Sequence, residues 1–238
     1  METSSLSQKL AHYAPSDEVK DLLARTPTIL MVGISGAGKN AILNKLFALY
    51  SNEYHYIVSH TTRAPRPNNG VMEQDGIAYH FINLTTAEKM IDARQFIEVN
   101  MYSGNIYGTS VTEFEAAASE GKIAISDIEV QGAADYIQLA SSIRPVFILP
   151  PDYETWQQRF MQRYGRHAAD YEQDLQKRIA TAEQEIAFVL SVDYFSFVIN
   201  ADLDAAVKDV HNILKDSHQS EGRRVAEELL KELRSHLA

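Results

Sequence analysis

The sequence predicts an α/β fold, a parallel sheet with helices on both faces. Three observations predict it. Short apolar runs recur along the chain, each too brief for a buried helix, as expected for buried parallel strands. Helical periodicity follows several of them. The first run joins its helix through a glycine-rich turn, the first half of a βαβ unit.

Taken in order, residues Met1 to Pro27 read as a polar lead-in with one weak amphipathic stretch, Val19 to Ala24. A short helix on the outside, or a loose arm, is the expectation there. Thr28 to Val32 (TILMV) is a buried strand that stops at Gly33. Lys39 to Tyr50 carries Ile42, Leu43, Leu46, Phe47 and Leu49 at helical spacing. Between Ser59 and Gly108 the pattern changes to short alternating runs, Ala78 to Ile82 and Phe96 to Met101 among them. Pro65, Pro67, Asn68-Asn69-Gly70, Asp75-Gly76 and Ser103-Gly104 interrupt them, which predicts a small antiparallel β insertion with turns. Lys122 to Ile128 is a second buried strand, with a helical pattern from Val130 to Leu139. Pro145 to Leu149 is a third, ended by Pro150-Pro151. Asp152 to Leu190 is long and helical with a break near Gly165. Tyr194 to Ile199 is a fourth strand, followed by a helical pattern from Leu203 to Leu214. Val225, Leu229, Leu230, Leu233 and Leu237 make an amphipathic helix of residues 221–237. Its apolar stripe must pack on its own domain or on a second copy, so a homo-oligomer stays open.

Composition narrows the chemistry. The 238 residues hold 32 acidic and 22 basic side chains, a formal net charge of -10. So acidic a chain is a poor general binder of nucleic acid or anionic membrane, and neither is an expected partner. Any phosphorylated ligand must be held by a local cluster of Lys and Arg. No cysteine is present, which excludes disulfides, thiolate metal sites and cysteine nucleophiles. No apolar run approaches a signal h-region or a bilayer span, so a cytoplasmic protein is expected.

Gly33-Ile34-Ser35-Gly36-Ala37-Gly38-Lys39 fits G-x-x-x-x-G-K between a buried strand and a helix, the context that phosphate-binding loops require. The loop N–H groups turn inward around phosphate, the helix N-terminus adds about half a positive charge, and Lys39 reaches the terminal phosphates. The fold is thus of the P-loop NTPase type. Gly33, Ser35, Gly36, Ala37, Gly38, Lys39, Asn40 and Ala41 are the candidate ATP contacts. Asn40 stands where Ser or Thr usually binds Mg²⁺. Its amide oxygen is a neutral hard donor that projects one atom further.

Ser59-His60-Thr61-Thr62-Arg63-Ala64-Pro65-Arg66-Pro67 sets two guanidinium forks three residues apart, suited to a bidentate grip on phosphate. This segment opens a series: Asp75-Gly76-Ile77-Ala78-Tyr79-His80-Phe81, Phe96-Ile97-Glu98, Gly104 to Ser110, Asp127-Ile128-Glu129-Val130-Gln131-Gly132, Phe147 to Pro151 and Val198 to Asp204. In order and spacing the series closely resembles the guanylate kinases, from about Thr28 to Lys215.

The resemblance implies a small mixed β acceptor-binding insertion and a helical lid. It divides the chain into an N-terminal extension (1–27), a kinase-like domain (28–216) and a C-terminal helix (217–238). Within the domain, 28–58, 121–151 and 179–216 form the core, 59–120 the insertion and 152–178 the lid. It also implies that Arg63, Arg66, Tyr79 and Tyr107 hold the GMP phosphate. Glu98 would accept from guanine N1–H and the 2-amino group, and Ser59 and Thr109 would make further base contacts. Asp127 fits an acidic partner to Mg²⁺ beside Asn40. Glu129, where the family usually has Asp, adds a methylene to the GMP site. Lys39 with Arg159, Arg163 and Arg178 would stabilise the transferring phosphoryl group, and Asn200 would lie near adenine. The implied activity is ATP-dependent phosphorylation of GMP, and of dGMP, with Mg²⁺. Asn40 keeps open a silent phosphopeptide-binding domain of the same fold. Glu129 and a lengthened loop from Asn68 to Asp75 keep open a kinase for another phosphorylated acceptor.

Overall fold

The computed structural model describes residues 2–68, 70–164, 171–214 and 220–237. The chain opens with helices α1 (Glu2–Ala11) and α2 (Asp17–Arg25), then β1 (Thr28–Val32) and α3 (Lys39–Tyr50). Five short strands follow: β2 (Tyr54–Tyr56), β3 (His60–Thr61), β4 (Pro67–Asn68), β5 (Val71–Met72) and β6 (His80–Phe81). Next come α4 (Leu84–Asp92), β7 (Phe96–Tyr102), β8 (Asn105–Ser110), α5 (Val111–Ser119), β9 (Ile123–Asp127) and α6 (Val130–Ile137). The remainder is β10 (Ile143–Leu149), α7 (Tyr153–Tyr164), α8 (Tyr171–Ser191), β11 (Ser196–Ile199), α9 (Leu203–Asn212) and α10 (Ser220–Ser235). The predicted break at Gly165, with Arg166 and His167, lies outside the described residues.

Five strands form the expected parallel sheet, in the order β11-β10-β1-β9-β2. Every residue of β1 is buried, as its unbroken apolar run requires. Strand β2 leaves no mark in the sequence. Its three residues, Tyr-His-Tyr, are too few and too polar to show a pattern. The insertion forms a second sheet, β6-β3-β8-β7. It is mixed, as the family resemblance implies, and not antiparallel throughout, as the turn pattern alone suggests. The pairs β3–β8 and β7–β8 are antiparallel, but β3 runs parallel to β6. Turn residues reveal hairpins and cannot reveal that pairing, because a parallel partner lies beyond a longer connection.

By contact the chain forms two compact units. The first comprises Met1–Thr28, Asn52–Ser126 and Gln138–Ile143, and the second Ile29–Ser51, Asp127–Ile137 and Arg144–Ala238. In the first, α1 and α2 are packed elements rather than a loose arm. Leu6, Leu10 and Tyr13, at i, i+4 and i+7, join Ala87, Ile91, Phe96, Val99 and Ile106 in one apolar cluster. Helix α2 buries Val19, Leu22 and Leu23. In the second unit the C-terminal stripe packs internally: Val225, Ala226, Leu229, Leu230 and Leu233 are buried where α10 meets α8, α7 and β11. Arg223 donates to the carbonyls of Leu190 and Val192, satisfying acceptors at the end of α8.

Candidate nucleotide site

The glycine-rich loop lies in the second unit. Gly38, the residue before α3, has φ +96°, and a Cβ there would collide with the amide nitrogen of Asn200. Only glycine meets both demands. Three side chains buttress the loop by its carbonyls. Trp156, fully buried, donates its Nε1–H to Ser35 O at 2.7 Å. Asn200 Nδ2 donates to Ala37 O at 2.8 Å, and Arg159 donates to Asn200 O at 2.8 Å and to Ala37 O at 3.4 Å. With its carbonyls bound from behind, the loop is set to present N–H groups on its other side. Lys39 Nζ folds back onto Gly33 O. Burial draws the Arg159 guanidinium below its usual range, against the opposing charge of Asp152.

Helix α8 adds Glu185, which the sequence analysis does not single out. Burial raises its carboxyl pKa, Lys39 and Arg178 lower it, and Glu129 adds to the rise. Arg178 and Glu185 are seven residues apart on one helix, so both fall on one face. That spacing is visible in the sequence, but nothing there says which face meets the loop. Arg163 lies in α7, and its side chain is outside the described ones. Asp127 ends β9 and Glu129 precedes α6, both with exposed side chains. Asn40 is exposed in the first turn of α3. Among the described residues no three His, Cys, Asp or Glu gather as a metal cluster. Asn40 and Asp127 offer hard oxygen donors, a set that suits Mg²⁺, which is usually held by one or two protein oxygens, water and substrate phosphates.

The acceptor candidates other than Asp127 and Glu129 lie in the first unit. Pairing of β3 with β8 sets Thr61 opposite Tyr107 and His60 opposite Gly108. Ser59 therefore reaches Thr109, with their hydroxyl oxygens 3.3 Å apart. Thr109 Oγ1 donates to Glu98 Oε1 at 2.9 Å. These three side chains form one polar group. Gly108 lets β7 and β8 close there, since a Cβ would stand 2.8 Å from Glu98 O.

A second group surrounds Arg63. Its guanidinium carbon lies 5.2 Å from the Tyr79 ring centre and 5.8 Å from that of Phe81. Tyr79 and Tyr107 meet edge to face at 6.0 Å. Arg63 forms a bidentate pair with Glu73 at 2.7 and 3.1 Å, and Glu73 also accepts from Arg66 N at 3.0 Å. The Glu73 hydrogen bond, seconded by Tyr107, raises the Arg63 pKa, and the same bond lowers that of Glu73. The fork and both phenols thus come together. Arg66 does not join them fully: its side chain is 69% exposed, with Nε 4.0 Å from Glu73. Glu73 is a residue the sequence reasoning missed. It falls in the lengthened loop, and acidic loop residues carry no signal of their own.

The family model described as guanylate kinase matches residues 25–217. The chain belongs to the guanylate kinase family. Its relatives include guanylate kinase 1 of Oryza sativa subsp. japonica, 36% identical over 196 residues, 80% of this chain and 49% of that protein. A guanylate kinase of Rickettsia bellii is 35% identical over 78% of this chain and 92% of its own length. The Homo sapiens guanylate kinase is 33% identical over 79% of this chain and 92% of its own. This guanylate kinase family chain therefore spans about half the length of the plant relatives it matches. Its fold matches the crystal structure of guanylate kinase from Anaplasma phagocytophilum, with TM-score 0.55 and 22% identity, over 83% of this chain and 89% of that one. No described helix is long and apolar enough to cross a membrane.

Proposed function

We propose that the protein is an ATP:GMP phosphotransferase acting in the cytoplasm. One observation carries the reading. At one short sheet the first unit gathers Arg63 with Tyr79 and Tyr107, a set suited to phosphate, and Glu98 with Thr109 and Ser59, a set suited to a base edge. A carboxylate is an acceptor only, so it suits the paired N1–H and 2-amino donors of guanine. Adenine lacks that donor pair and would leave Glu98 desolvated and unpaired.

In this reading a phosphate oxygen of GMP attacks the γ-phosphorus of ATP in line. The bond from γ-phosphorus to the β–γ bridging oxygen breaks, and ADP leaves. The nucleophile is already an anion near neutral pH, so no general base is required. Positioning and charge stabilisation supply the catalysis. Lys39 and the N–H groups of residues 33–39 hold the donor phosphates. Arg159, Arg163 and Arg178 belong to the donor side, with Asn200 near adenine. Arg63 and Arg66 neutralise the acceptor, and Asp127 and Glu129 complete the GMP site. Asn40 and Asp127 would hold Mg²⁺, which would supply charge neutralisation to the donor phosphates.

A coupled ADP-release assay with GMP, dGMP, AMP, CMP, UMP and dTMP tests the proposal. Turnover on GMP and dGMP alone is expected. No turnover on any acceptor, with tight phosphopeptide binding, would replace it with an interaction domain. Turnover on another nucleotide would refute the role of Glu98.

A further inference from the structure

We infer that Tyr13, in the segment before the family-matched residues, is a positioning residue for guanine recognition: its phenol holds the β-bulge that aims Glu98. The inference rests on the reading of Glu98 as the base contact. The first observation is the register of β7 on β8. Phe96 pairs with Ser110, but Glu98 pairs with Thr109, so two steps along β7 match one along β8. Ile97 is the extra residue of a bulge. Without it Glu98 would face Gly108, which has no side chain to hold it. With it the carboxylate meets the Thr109 hydroxyl at 2.9 Å. The same bulge explains why Phe96 and Ile97, adjacent in a strand, are both buried.

The second observation is what fastens the bulge from outside. β7 is an edge strand, so the outer backbone groups of Phe96 have no strand partner. The Tyr13 hydroxyl takes both. It donates to Phe96 O at 2.6 Å and accepts from Phe96 N at 3.0 Å. One oxygen thus closes the edge at the residue where the bulge begins. The phenol is itself held in place. Leu6 and Leu10 pack with Tyr13 on the cluster of Phe96, Val99 and Ile106, and Lys9 pairs with Asp92 of α4 at 2.6 Å. Burial raises the Tyr13 pKa, so the phenol stays a protonated donor at neutral pH. The family match begins at residue 25, so α1 and Tyr13 lie before the matched residues.

The test is Tyr13→Phe in the full chain, which keeps the ring in its packing and removes only the hydroxyl. The expected result is a GMP KM raised about 5- to 10-fold, from a loosened but not abolished contact. kcat and the ATP KM stay within about twofold, and the preference for GMP over IMP narrows, because IMP lacks the 2-amino group that Glu98 reads. Backbone hydrogen exchange at Phe96 quickens. Faster exchange with an unchanged GMP KM would overturn the inference, leaving Tyr13 an edge cap alone. An equal loss for ATP and GMP would overturn it as a general effect on folding. If the wild-type chain does not use GMP, the Glu98 reading falls and this inference with it. Wild-type use of GMP with an unaltered KM in the variant refutes this inference only.

Discussion

Glu98→Gln changes one oxygen to an amide nitrogen and barely alters size. In the structure Oε1 accepts from Thr109 at 2.9 Å, and Oε2 lies 3.4 Å from Asn100 Nδ2. A carboxylate accepts through both oxygens and donates through neither, so it suits the two donors of guanine. Glutamine keeps one acceptor and turns an N–H₂ toward the other guanine donor. A hydrogen bond to a charged group is worth about 1.5–3 kcal/mol, and the mismatched donor adds a desolvation cost of about 1–3 kcal/mol. A combined loss near 3 kcal/mol lowers kcat/KM for GMP roughly 100-fold. IMP has no 2-amino group to clash, so its loss is smaller and the GMP-over-IMP preference collapses. The assay is coupled ADP release with both acceptors at saturating ATP, and the ATP KM stays unchanged. A variant that keeps GMP kcat/KM within about threefold, or loses both acceptors equally, would refute Glu98 as the base reader.

Asn40→Ser replaces the longer amide by the hydroxyl usual at that position. It is expected to raise the rate or lower the Mg²⁺ concentration for half-maximal rate, and an unchanged or lower rate would show a site adapted to Asn. His60 has its pKa lowered to about 4, by burial first and by His80 second, with Glu113 and Asp75 opposing. Between pH 6.5 and 4 the unfolded chain binds the extra proton, so stability falls as pH falls through that window. Urea midpoints from pH 7 to 4.5 should drop less steeply in His60→Asn, and parallel curves would exclude His60 as the cause. Leu233→Ala removes a fully buried side chain of α10 and should cost about 2–5 kcal/mol in chemical denaturation. A cost below about 0.5 kcal/mol would mean that α10 is not part of the cooperative fold.

Much of the donor half was legible because its signal is local. Strand, glycine turn and helix from Thr28 to Tyr50 are contiguous, and each element has its own periodicity. The acceptor half was legible only through a series of motifs, since Tyr79, Glu98 and Tyr107 look singly like ordinary strand residues. The antiparallel expectation for the insertion failed at β3–β6 because hairpin turns say nothing of parallel neighbours. The N-terminal segment was read too loosely. Leu6, Leu10 and Tyr13 have helical spacing, but three residues in a polar stretch make a weak pattern.

By itself the sequence determined four of the five core strands, the phosphate loop, the absence of cysteine chemistry and the need to concentrate cations in an acidic chain. These follow from residue type and from spacing over one or two turns of chain. Tertiary structure alone decided who holds whom. Arg159, expected over phosphates, braces the loop carbonyl of a residue 122 positions away. Glu73 takes the fork of Arg63, and Arg66 stays largely exposed. Tyr13 meets Phe96 across 83 positions. A bulge at Ile97 decides which way Glu98 faces. Such pairings depend on where the folded backbone brings distant atoms within hydrogen-bond reach, and no local pattern encodes that distance.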